Sequence, residues 1–478
     1  MRKLLLASAA LLGGSLGAAN AQVAPAPVIV PTPVPFTLTP SPTAGPGTIS
    51  VRINARMNFY MQAGSDSGRN TSVVTTAPGV TTPTNTKLAD YSFQEYARLF
   101  FNLDGIAGNG LKYGAFIEVR QDNGDAPGGG IAGSISSQSR TRGAMYFRNE
   151  GAYLGTDQLG FVRFGSTYMP SVLFATGTME NFNDGGWDGD LPSLFSGNTT
   201  PTWPFPDIGV FYVPSNVTYL SPQFYGVDFA ASFAPNSGGL TNASGNCPYG
   251  NTAVGTVSAN TVSGGYVGCD AASSTSVLGE TTRPRNEAQI YARYRGAFGP
   301  VGIAAEVGGI FSGHVQNNNA PAVKASQLQY EGYRLFDAGL LGTFGGLAVG
   351  AHVTGGRQNG QFSLAPVGTK DSFAWVAGAS YAMGPVIVGA SYFDYMSTGA
   401  NNRLASPFVG NRNEWGIAAG GTYNFAPGMN MYLSYLYGHR KELGVDLLSG
   451  VASSATTNVS THNNVQSQGV QIGTQFRW

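Results

Sequence analysis

Stretches of strict two-residue alternation recur along this 478-residue chain, and the connections between them come in two lengths that take turns without exception. Seven connections are short and turn-like: GIAGNG (105–110), TDQLG (156–160), PQFYG (222–226), GAFGP (296–300), TFGG (343–346), MGP (383–385) and APG (426–428). Between them fall eight longer polar segments, near 64–90, 121–142, 167–206, 235–286, 313–327, 356–371, 396–413 and 441–465. Fifteen connections separate sixteen strands and leave both ends of the sheet on the short-turn side. Sorting of connections by length is what an outer-membrane barrel requires, with short periplasmic turns and long external loops. A β-sandwich has no reason to sort its loops this way.

The strands support the same reading. In ISVRINARMNFYMQA, Ile49, Val51, Ile53, Ala55, Met57, Phe59, Met61 and Ala63 alternate with Ser50, Arg52, Asn54, Arg56, Asn58, Tyr60 and Gln62. A period of two places the two sets on opposite faces of a strand. In a soluble sandwich the apolar face would point inward; in a membrane barrel it meets lipid and the polar face lines water. Similar alternation appears in LKYGAFIEV from Leu111, AQIYARYR from Ala288, EWGIAAGGTYNF from Glu414, MNMYLSYLY from Met429 and GVQIGTQFRW from Gly469. Charged residues make up 11% of the chain, against about 25% in soluble proteins. Beyond the N-terminus no run of apolar residues reaches the length of a membrane-spanning helix. Acidic and basic residues balance at 26 each, so no global charge points to nucleic acid. The expected fold is all-β: a sixteen-stranded antiparallel transmembrane β-barrel with an inward-folded third loop. A barrel of that size leaves an aqueous channel. Two strands are hard to place, because residues 205–215 carry prolines and residues 328–344 show no clean alternation.

The N-terminal region divides in two. Residues 1–21 read as a cleaved secretory signal, with Arg2 and Lys3, an apolar segment from Leu4 to Leu16, and Ala19-Asn20-Ala21 as the cleavage site. Residues 22–47 are rich in proline, which favours extended polyproline II. They read as a semi-rigid periplasmic linker, with a cell-wall or partner-binding role as the alternative; residues 48–478 form the barrel. An even pair of cysteines in an exported chain, Cys247 and Cys269, suggests a disulfide. A metal or redox pair would call for CxxC spacing or a nearby histidine.

Taken together, residues 48–478 resemble the general bacterial porins, the trimeric sixteen-stranded diffusion channels of Gram-negative outer membranes. The resemblance is carried by YARLFFNLDGIAGNGLKYGAFIEVR (96–120), GAYLGTDQLGFVRFGSTYMP (151–170) and SNVTYLSPQFYGVDFAASF (215–233). These look like the family's second hairpin, its fourth and fifth strands leading into the third loop, and its sixth and seventh strands. The terminal QIGTQFRW fits the family's assembly signal through Gln471, Gly473, Phe476 and Trp478, although the family more often ends in Phe.

The resemblance also implies a constriction, where the third loop folds into the barrel and sets its carboxylates against basic side chains of the wall. Here that loop runs from about Thr167 to Pro206 and contains MENFNDGGWDGD, with Glu180, Asp184, Asp188 and Asp190. The basic positions matching by strand order are Arg52 and Arg56, Arg98, Arg120 and Arg163. Opposed charges across a narrow aqueous gap order water and hinder apolar solutes. The loop acids also read as solvated surface groups, or as a Ca²⁺ site lacking the twelve-position pattern with its closing Glu. No nucleophile–base pair or metal spacing surrounds the scattered His314, His352, His439 and His462, so no catalytic residues, cofactor or metal are expected. His352 faces the lumen on alternation. The expected function is passive diffusion of small hydrophilic solutes and ions. The alternatives are an anion-preferring channel built on these arginines with Arg293 and Arg295, and an envelope-tethering barrel. Implied partners are outer-membrane lipid, two further copies of the chain in a homotrimer and the outer-membrane assembly machinery, with no nucleic acid.

Overall fold

The alternating stretches pair with their sequence neighbours by backbone hydrogen bonds, which satisfies every strand edge without water once the first meets the last. In the computed structural model the described residues are 45–68, 72–77, 80–85, 90–122, 145–180, 185–195, 199–206, 214–236, 275–276, 284–314, 316–317, 330–360, 364–399, 411–448, 451–452 and 462–478. The expected signal, most of the linker, and both Cys247 and Cys269 lie outside them.

Sixteen strands close an antiparallel barrel. They are β1 (Ile49–Asp66), β2 (Tyr91–Ile106), β3 (Lys112–Asp122), β4 (Tyr146–Thr156), β5 (Gly160–Ser166), β6 (Ser215–Leu220), β7 (Val227–Asn236) and β8 (Pro284–Phe298). Then follow β9 (Val301–His314), β10 (Arg334–Phe344), β11 (Leu347–Arg357), β12 (Ser372–Met383), β13 (Val386–Ser397), β14 (Arg412–Ala426), β15 (Met429–Glu442) and β16 (Asn464–Arg477). Each pairs with the next, and β1 pairs with β16 from Arg56↔Arg477 to Asp66↔Ser467. The short and long connections alternate as the sequence predicts.

On β1 the odd-numbered apolar side chains face outward, with Ile53 61% exposed, whereas Arg56, Asn58, Tyr60 and Gln62 are buried inside. Aromatic side chains band the outer surface. Trp375, Tyr392, Trp415 and Tyr437 follow one another across β12 to β15 with ring centroids 5.3–6.1 Å apart. Amphipathic rings at this level suit the membrane–water interface.

Two strands differ from the sequence expectation. β6 begins at Ser215, directly after Pro214; proline has no N–H to give to a ladder. β10 is regular, but Leu335 and Leu341 point inward while Phe336 and Leu340 point outward. Apolar side chains on both faces erase the two-residue period. The inner ones pack against the third loop, with Met179, Ala304, Leu341 and Ala348 in one cluster.

Candidate functional site

The third loop crosses the inside of the barrel. Leaving β5, it forms the short helix α1 (Pro170–Leu173), where the Ser171 N–H donates to Gln289 Oε1 at 2.9 Å and Arg293 Nη1 donates to the Leu173 carbonyl at 3.1 Å. The Arg293 guanidinium also lies over the Phe174 ring at 4.1 Å and pairs with Asp228 at 2.7 Å. At Thr176 the loop reaches β9 and β11, donating to Glu306 Oε1 at 3.0 Å and meeting His352 Nδ1 through its carbonyl at 2.9 Å. Beyond residues 181–184 it follows β13 to β15. Trp187 packs edge-on against Phe393 at 5.7 Å, and Ser434 donates to the Gly185 carbonyl at 2.8 Å. A 3₁₀ turn (Leu191–Leu194) brings Leu194 and Phe195 against the backbone at Gly64 and Gly469. Finally Thr202 is held by Glu414 at 3.2 Å and by Arg440 at 3.1 Å.

Large apolar residues make this course stable. Trp187, Leu191, Phe195, Trp203 and Phe205 bury themselves against Ala374, Val376, Ile387, Phe393 and Leu436 of the inner wall. A second cluster joins Tyr168, Val172 and Phe174 to Phe116, Tyr153, Phe161 and Tyr291. Parts of the inner wall are therefore covered by apolar clusters. The sequence reading, in which the polar strand faces line water, does not anticipate these clusters, because the aromatic residues responsible are scattered through a glycine- and proline-rich segment.

The basic positions separate by height and by environment. Arg56 on β1 pairs in register with Arg98 on β2, and Arg98 with Arg120 on β3, forming one cross-strand row. Arg477 on β16 extends the row on the other side of Arg56. Arg56 and Arg98 both lie against the Tyr96 ring, at 5.2 and 4.2 Å from its centre. Arg120 forms an ion pair with Glu118 at 2.5 Å. Arg148, not singled out in the sequence, is buried near Tyr168 on the same side, at 5.9 Å. Arg52 sits four positions nearer the periplasmic end than Arg56, about 13 Å along the strand, and is tied to Asp104, which also accepts from Tyr153. Arg163 is only 1% exposed: it donates to Thr167 at 2.6 Å and lies over Phe116 at 4.9 Å, beneath the start of the loop.

The loop acids diverge too. Glu180 is buried, and its Oε2 accepts from the Asp188 N–H at 3.1 Å. Asp188 is half-buried, as is Asp190, which lies beside Tyr60, four positions along β1 from Arg56. Asp184 lies outside the described residues. In a ring of sixteen strands β2 stands across from β10. The arginine row thus lies opposite the wall where Thr176 is anchored.

At the seam, Gln471 faces inward, accepting from the Gln62 amide at 3.3 Å and donating to the Tyr432 hydroxyl at 2.9 Å. Gly473 leaves the space that the Tyr432 ring occupies; a methyl there would overlap it. Phe476 pairs with Met57, and Trp478 exchanges backbone hydrogen bonds with Ala55. Of the histidines, His352 is inside, His439 stacks on Trp415 at 5.5 Å on the outer face, and His462 bonds Asp446 at 3.0 Å. Among the described residues, Glu306, Asp337 and His352 bring potential metal-ligand atoms within 4.8 Å of one another.

The sequence model of one protein family, described as Gram-negative porin, matches residues 7–443. Among solved structures, an anion-selective porin from Comamonas acidovorans is similar over 90% of this chain and 100% of its own, with 13% identity and a TM-score of 0.50. OmpT of Vibrio cholerae in its trimer form aligns over 90% and 99%, with 12% identity and a TM-score of 0.46. The outer membrane channel DcaP of Acinetobacter baumannii aligns over 91% and 99%, with 13% identity and a TM-score of 0.47. No curated protein matches the chain.

Proposed function

This chain belongs to the Gram-negative porin family, and from that premise we propose that its water-filled path is narrowed between the arginine row of β1–β3 and the third loop. The protein is an outer-membrane channel through which small hydrophilic solutes and ions diffuse. The observation that carries the proposal is the registered row Arg56–Arg98–Arg120, standing across the barrel from the Thr176 anchor of the loop. Asp188 and Asp190 supply the acidic side of the gap, while Arg52, Arg163 and Glu180 hold the surrounding wall and loop in shape. We read the protein as a channel without catalytic chemistry. It works as a homotrimer, reached after removal of residues 1–21, with residues 22–47 as a periplasmic linker and Cys247–Cys269 as a loop disulfide. Gln471, Gly473, Phe476 and Trp478 carry the recognition signal for the assembly machinery.

Anion preference is favoured as a second reading by the same row, because it sets Arg477, Arg56, Arg98 and Arg120 side by side on four neighbouring strands. Reconstitution in a planar bilayer tests both readings. Stepwise conductance is expected, with a reversal potential in a salt gradient displaced toward the anion side. Absence of stepwise conductance sinks the channel; a cation-side potential sinks the second reading alone.

A further inference from the structure

One anchor of the third loop is built differently from the rest. Glu306, Gly339 and His352 form a single cross-strand row over β9, β10 and β11. Tyr291, Gly308 and Asp337 form a second row over β8, β9 and β10. In each row a glycine stands between two polar residues, which lean together over the vacant position. His352 Nε2 is 2.7 Å from Asp337 Oδ1, and its Nδ1 is 3.2 Å from Glu306 Oε1. Tyr291 donates to the other Asp337 oxygen at 3.0 Å. The backbone of Thr176 enters the hollow above Gly339, where a methyl would overlap its carbonyl oxygen. There it gives its N–H to Glu306 at 3.0 Å and offers its carbonyl to His352 Nδ1 at 2.9 Å. The next residue, Gly177, turns with φ +78°, and Met179 fills the hollow beside Gly350 and Gly378.

Both imidazole nitrogens of His352 face oxygen. Only the imidazolium supplies an N–H to each; the neutral ring sets a lone pair against a carboxylate or a carbonyl. The ring is 1% exposed, so water cannot replace a lost partner. The groups facing it are Glu306 from β9, Asp337 from β10 with Tyr291 behind it on β8, and from the loop the Thr176 backbone and the Phe205 ring at 5.6 Å. Glu287 lies further along β8 and accepts from Gln289 at 2.8 Å. Removing the proton therefore leaves two carboxylates confronting each other beneath Thr176.

We propose that His352, bridging Glu306 and Asp337, is the positioning residue that latches Thr176–Met179 to the wall and thereby sets the open width of the channel. The proposal rests on the diffusion-channel reading. Channels of wild type, His352→Gln and Gly339→Ala, recorded singly from mildly acidic to alkaline pH, test it. In wild type the open level is steady at the acidic end, and brief closures multiply as pH rises through the titration of the imidazolium. His352→Gln raises closures at the acidic end by about two- to thirtyfold, the population change expected from a coupling of ordinary size, and abolishes the pH step. Gly339→Ala displaces Thr176 without altering any charge and raises closures at every pH. Met179→Cys with Gly350→Cys, joined as a disulfide in a Cys247→Ser, Cys269→Ser background, restores the steady level to His352→Gln. Wild-type closures and pH profile in His352→Gln overturn the proposal. If that variant does not assemble, a wild-type record from Gly339→Ala overturns it instead. Failure of wild type to conduct at all counts against the channel reading and leaves a different signature.

Discussion

Replacing Arg98 with Gln removes one positive charge from the centre of the arginine row while keeping a polar side chain against Tyr96. The guanidinium is fixed 4.2 Å from the centre of that ring, with Arg56 and Arg120 as its registered neighbours. An ion passing about 4 Å from a unit charge in water gains or loses about 1 kcal/mol. The effect has opposite sign for anion and cation, so the anion-to-cation ratio changes by about 2 kcal/mol, or about thirtyfold at most. At 0.1 M salt the screening length of about 10 Å exceeds the contact distance and trims this only partly. Because the neighbouring arginines remain, the preference should weaken rather than invert. The assay is the reversal potential of the reconstituted channel in a salt gradient, with Arg52→Gln measured alongside. Arg52 lies four positions along β1 from Arg56, about 13 Å from the row and beyond the screening length, so its loss should move the potential less. An unchanged potential in Arg98→Gln, or an equal displacement in Arg52→Gln, refutes the assignment of the row to the narrow part of the path.

Phe59 faces outward and stacks on Phe93 at 5.9 Å; Phe59→Arg should cost about 2–4 kcal/mol if it meets the bilayer midplane. Urea unfolding in lipid vesicles reads this, and Asn58→Arg on the inner face should escape that penalty. Trp187 fills the hollow over Gly416 and Gly438, so Trp187→Ala should remove about 3–5 kcal/mol of packing from the loop. A lowered temperature of heat denaturation with an altered open level is expected; an unaltered open level would show that this anchor does not shape the path. Deleting Trp478 should lower the amount of folded protein in the outer membrane, measured by heat-modifiable migration, while messenger levels stay constant.

How much of this was legible in the sequence depended on what lies inside each strand. β1 reads cleanly because lipid touches one face and polar groups line the other. β10 does not, since Leu335 and Leu341 meet loop residues more than 150 positions earlier in the chain, such as Met179 and Phe174. The arginines were recognisable one by one from strand order, but the row exists only through register, and a shift of two residues would scatter it. Alternation placed His352 on the inner face. Its partners Glu306 and Asp337 lie on separate strands, and no spacing in the sequence announces them. Glu180 looked like one of a set of pore carboxylates; its burial and its bond to the Asp188 N–H depend on the fold of the loop itself. The aromatic residues of the loop were visible, but that they meet one another against β12–β15 was not.

The pairing of β1 with β16 has a consequence for the order of biogenesis. The first strand made can find its second partner only when β16 (Asn464–Arg477) has been synthesised and delivered. Until then the sheet has two open edges, each a template for misassociation, and the long sequence separation of the two strands makes their meeting slow. Closure therefore joins the two strands of the barrel that lie furthest apart in sequence.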